Sequence, residues 1–118
     1  MNAEFLHDDR QTLDAMLEIY SRTAGSYLTL ECLLDHWTTL VDRLDGEARP
    51  SYDGYEAELS VRGLLEELAE SLSEPGRQVL LRALIGPDRR FLARTVARSD
   101  PPAHRWWQRI PPAWVGSS

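Results

Sequence analysis

A chain of 118 residues has room for one domain around one modest core, and 42% apolar with 27% charged residues is the balance of a globular chain, not of a disordered or fibrous one. Its net charge of −6 is unevenly placed: residues 1–74 carry 17 acidic and 5 basic groups, residues 75–118 carry 2 and 8, and every basic residue is an arginine. The longest apolar runs fall well short of the roughly 18 residues of a membrane span, the amino terminus does not read as a signal peptide, and Cys32 has no partner for an internal disulfide, so a cytoplasmic protein is expected.

The first predicted element runs from Asp8 to Ala24, where Leu13, Met16, Leu17, Tyr20 and Ala24 recur at spacings of three and four, with Asp8 or Asp9 as cap and Gly25 beyond the end. A second helix starts at Thr29 as cap. Leu28 before it and Leu33 inside it have the spacing of a hydrophobic staple. Leu30, Leu33, Leu34, Trp37, Leu40, Val41 and Leu44 then form one broad apolar face, and Gly46 closes the helix.

Residues 45–53 contain Gly46 and Pro50 and read as the one sizeable loop. Asp53 with Glu56 offers a capping box for a third helix carrying Tyr55, Leu59, Leu64, Leu65, Leu68 and Leu72, which Ser60 and Gly63 are placed to interrupt. Ser73 and Pro75 restart a helix whose core face is Val79, Leu80, Leu81, Leu84 and Ile85. Gly86 and Pro87 predict a kink or break, after which Asp88 caps a continuation with Phe91, Leu92, Thr95 and Val96 facing inward, ending near Arg98. The tail 99–118 holds four prolines and Trp106, Trp107 and Trp114, so it is not a long helix. No stretch alternates at period two, which leaves strands unsupported. The expected fold is all-α: a single domain over 1–118, a bundle of about four or five helices, with a Pro/Trp-rich extended tail packed on it or extending from it.

Catalytic signatures are missing. His7, His36 and His104 lie far apart, lysine chemistry is impossible, and no phosphate-cradling or calcium loop is present. Cys32 and His36, one turn apart, are the nearest approach to a metal site, but two ligands do not make one, and they fall on a polar flank of their helix. No catalytic residue, metal or cofactor is therefore assigned, and the chain is expected not to be an enzyme.

Charge patterning says more. On the second helix Glu31, Asp35, Asp42 and Asp45, with Thr38 completing the spacing, form an acidic stripe roughly 120° around from the apolar centre. Glu66, Glu67, Glu70 and Glu74 form another on the third, extended by Glu56 and Glu58. Like charges four apart disfavour their own helix by a few tenths of a kcal/mol each, about 0.2–0.5. Arg90, Arg94 and Arg98 make an opposing positive row, while Arg105 and Arg109 flank Trp106-Trp107. Arginines among aromatics suit single-stranded nucleic acid, yet the acidic segment of so small a domain repels phosphate, so a nucleic-acid partner is not expected.

A short, acidic, single-domain helical chain without catalytic residues resembles, in its overall character, the small immunity proteins of bacterial polymorphic and contact-dependent toxin systems, and its segments LSVRGLLEELAESL (59–72) and HRWWQRIPPAW (104–114) look like those of small bacterial proteins. That resemblance implies one cognate protein partner, a basic nuclease-like toxin domain blocked by an acidic surface that mimics phosphate. The contact residues expected from the stripe and the following loop are Asp35, Asp42, Asp45, Glu47, Asp53, Glu56 and Glu58, with Tyr52 or Tyr55 as aromatic anchor. The alternatives are a helical adaptor or homodimer built on Trp106, Trp107 and Trp114, and a small metal-binding protein at Cys32 and His36.

Overall fold

The computed structural model describes residues 5–46, 55–97, 107 and 109–110. Four helices follow one another: α1 (His7–Ala24), α2 (Leu30–Gly46), α3 (Tyr55–Ser71) and α4 (Glu74–Arg94). The all-α expectation holds. Helices α2, α3 and α4 pack closely on one another, and α1 lies against α3. The core they enclose is the predicted one in large part: Leu33, Trp37, Leu40 and Val41 of α2, Leu65 and Leu68 of α3, Leu80, Leu84 and Phe91 of α4.

Helix ends show why these segments fold as they do. Thr29 Oγ1 accepts a hydrogen bond from the Cys32 N–H, the expected cap of α2. Gly25 closes α1 with a positive φ of 72°, where a side chain would be strained. Ser73 caps α4 with Pro75 in the first turn, as predicted. Asp9, in contrast, does not cap α1, whose capping residue is Leu6 and has no side-chain bond. It is buried, and accepts from the Ser73 N–H at 2.9 Å and the Ser73 hydroxyl at 2.6 Å. One carboxylate thereby fastens the start of α1 to the start of α4, where the helix N-terminus favours a negative charge.

Four further expectations are corrected. Helix α3 runs unbroken through Ser60 and Gly63, and α4 runs unbroken through Gly86 and Pro87. Proline disfavours a helical predecessor mainly through clashes that include that residue's Cβ, and Gly86 has none. Buried Leu84 and Phe91 on either side anchor both halves of α4 in the core. Second, α4 ends at Arg94, not near Arg98, with Thr95 extended at its end. Third, a short ladder exists: β1 (Val96–Ala97) pairs antiparallel with β2 (Arg109–Ile110), Val96 opposite Ile110. A two-residue strand is too short to show alternation in sequence. Ile85 and Leu92, expected inside, are exposed on the outer side of α4.

Candidate functional site

The acidic stripe of α2 faces solvent. Glu31, Asp35 and Asp42 are all exposed. Asp45 lies in the last turn of α2, and Tyr55, Glu56 and Glu58 in the first turn of α3, but their side chains fall outside the described residues, as do Glu47, Tyr52 and Asp53 altogether. Trp106, Trp114 and Arg98 are outside them too. On α3, Glu67 and Glu70 are exposed, and the Tyr20 hydroxyl of α1 donates to Glu67 at 3.1 Å. Burial first, then the neighbouring carboxylate, hold the Tyr20 phenol well above its usual range.

The two charge rows do meet. Arg90 Nη2 bonds Asp42 Oδ1 across the α2–α4 boundary, so the positive row offsets the acidic stripe at this point. Both side chains remain largely in solvent, 43% and 59% exposed, where an ion pair is screened.

The group of ion pairs centred on buried Arg62 is one that the charge stripes do not single out. Arg62 of α3 is 2% exposed. Its Nε and Nη2 grip both oxygens of Asp88 at 3.0 and 2.9 Å, and its Nη1 reaches Glu66 at 3.0 Å. Asp88 Oδ1 also accepts from the Trp37 indole N–H at 2.9 Å, and Trp107 lies on the guanidinium, 5.5 Å from ring centroid to Cζ. Asp88 is thus no cap but the acceptor that joins α2, α3 and α4. The Trp37 ring also packs on Phe91, centroids 4.8 Å apart. Among the described residues no buried side-chain nitrogen or oxygen lacks a hydrogen-bond partner. A signal for Arg62 was present: it sits three residues from both Leu59 and Leu65, on the apolar side of its helix, where a cation requires a buried partner.

The chemistry of this group is structural: each guanidinium nitrogen of Arg62 donates to a carboxylate of the same chain. Trp107, buried against Gly63, joins the tail to it, and Arg109 ties the ladder down by donating to Thr95 Oγ1 and the Thr95 carbonyl. Cys32 is half-buried and His36 exposed, and among the described residues no group of three or more His, Cys, Asp or Glu converges as metal ligands would. None of the described helices is long and apolar enough to cross a membrane.

A scan against protein-family models, a search of curated proteins and a search of solved structures each found no match to this chain.

Proposed function

We propose that the chain is a non-enzymatic binding protein, an immunity-type inhibitor in the cytoplasm that occludes a cationic, nuclease-like toxin domain with the acidic side of α2. One observation supports this reading above the others: Glu31, Asp35 and Asp42 are all exposed on one side of α2, and the Arg90 contact at Asp42 leaves that carboxylate 59% exposed. Carboxylates kept exposed at such spacing speed the encounter with a basic partner and reject an acidic one. Asp45, Glu47, Asp53, Glu56 and Glu58 extend the surface, with Tyr52 or Tyr55 as its anchor.

Co-expression with toxin domains encoded beside it tests the reading. A stable complex that dissociates with rising salt is the expected result, with Asp35→Lys and Asp45→Lys weakening it at unchanged melting temperature. Protection that survives both reversals rules the stripe out, and a captured partner without a basic face rules out the class of partner.

A further inference from the structure

Two faces of opposite charge, each with apolar side chains in solvent, stand on different parts of the molecule. The first is a groove of about 480 Å³ between α1, the connection after it and the first turn of α2. Leu13, Leu17, Leu28 and Leu30 form its apolar wall, and Tyr27 stands at its mouth, 83% exposed. Its charged lining is Asp14 and Glu18 on one side and Glu31 on the other against Arg10, and the exposed Glu18 also pairs with Arg22 one turn along α1. The second face is the outer side of α4. There Arg82, Ile85, Arg89 and Leu92 recur at spacings of three and four, all exposed, over about 15 Å of helix.

We propose that the α4 face of one molecule docks in the α1–α2 groove of a second copy, so that the chain self-associates head to tail. The two surfaces match in sign and in character: aliphatic side chains of the helix meet Tyr27 and the half-buried Leu17 and Leu28, and its arginines meet the exposed Asp14 and Glu18. Nucleic acid and anionic lipid also suit an arginine row, but the acidic helices of the same small domain repel both, whereas a second copy brings the complementary groove with it. Because the two patches differ, the contact does not pair like with like. It leaves one groove and one α4 face open at the ends, and assembly continues into a ring or a chain. The inference does not rest on the toxin reading, although Glu31 borders both surfaces.

Sedimentation equilibrium of the full chain is the test, in low salt between about 10 μM and 1 mM, the range of weak transient contacts. The average mass is expected to rise past that of two chains and to fall back in 1 M salt, where charge screening reaches about 3 Å. Two double variants change only exposed residues: Asp14→Lys with Glu18→Lys spoils the groove, and Arg82→Ala with Arg89→Ala spoils the helix face, so that the two spoiled faces do not attract each other. Each alone should associate at least about tenfold more weakly than the parent chain, with an unchanged melting temperature. Mixed in equal amounts they should form a species of two chains and nothing larger, since each retains one intact face. A parent chain that stays monomeric at every concentration overturns the proposal. So does a mixture that stays monomeric, or a dimer that neither variant disturbs, as contact through the tail would give.

Discussion

Helix α4 carries two ionic contacts to its neighbours only two residues apart, and they are opposites. Asp88 holds Arg62 in the interior, where the two side chains are 17% and 2% exposed; Arg90 holds Asp42 at the surface, where 43% and 59% remain in water. Both are arginine–aspartate pairs, and both join helices. The difference is what each group faces when its partner is lost. A guanidinium deprived of Asp88 stays desolvated beside Trp107 and Glu66, whereas Arg90, 43% exposed, has water at hand when Asp42 is lost. Burial, and not the identity of the pair, decides which contact governs the fold.

Removing one partner of the interior pair is the strongest way to expose that difference. Arg62→Ala or Asp88→Ala should cost about 3–5 kcal/mol in urea unfolding, because each leaves a charge uncompensated inside the bundle. Replacing both by leucine should recover part of the loss but not all, since the Trp37 indole N–H then lacks its acceptor, a cost of about 1–3 kcal/mol. A fully additive double variant contradicts the coupling.

The other buried carboxylate gives an intermediate case. A Cβ at position 76 would come within 2.2 Å of Asp9 Oδ2, so Gly76→Ala forces Asp9 off Ser73 and should destabilise by about 1–3 kcal/mol. Hydrogen exchange should then rise first in α1. In an Asp9→Ala background the same change should cost markedly less.

At the surface, Asp42→Ala is expected to change stability by no more than about 1 kcal/mol, and by nothing measurable in high salt. The smallest effect is confined to high pH. Tyr20 keeps its proton in the folded state beyond the pH at which an unfolded tyrosine, near pH 10, has begun to lose it. Its contribution is therefore complete below about pH 10 and falls as pH rises further, because the unfolded chain then binds fewer protons. Thermal melts between pH 9 and about 11 should show a steeper loss for the parent chain than for Tyr20→Phe; equal slopes would place Tyr20 outside the linkage.

The helices and the greater part of the core were legible in the spacing of leucines, since each apolar face repeats within its own element. Thr29 and Ser73 were legible as caps for a similar reason: the donors they satisfy lie within three residues. Asp9 and Asp88 were not, and Arg62 was marked only by its place between Leu59 and Leu65 on the apolar side of α3. Read locally, the two aspartates look like caps, and in the folded chain they bond to groups 64 and 26 residues away. The candidate site divides in the same manner. Sequence spacing placed Asp35 and Asp42 on an exposed side of α2, but the groove that begins at Glu31 brings in Asp14 and Tyr27, which no pattern on α2 alone connects to it.

Sequence by itself determined that this chain is helical, where its apolar faces lie, and that its charge is split between an acidic first part and an arginine-rich second. Tertiary structure decided what each charge meets. Asp42 is shared with Arg90, Arg62 is enclosed by Asp88, Glu66 and Trp107, and Asp35 is left to solvent. The net charge counts these side chains alike, but an ion pair depends on separation and dielectric, and both are set only when helices distant in the chain are packed together.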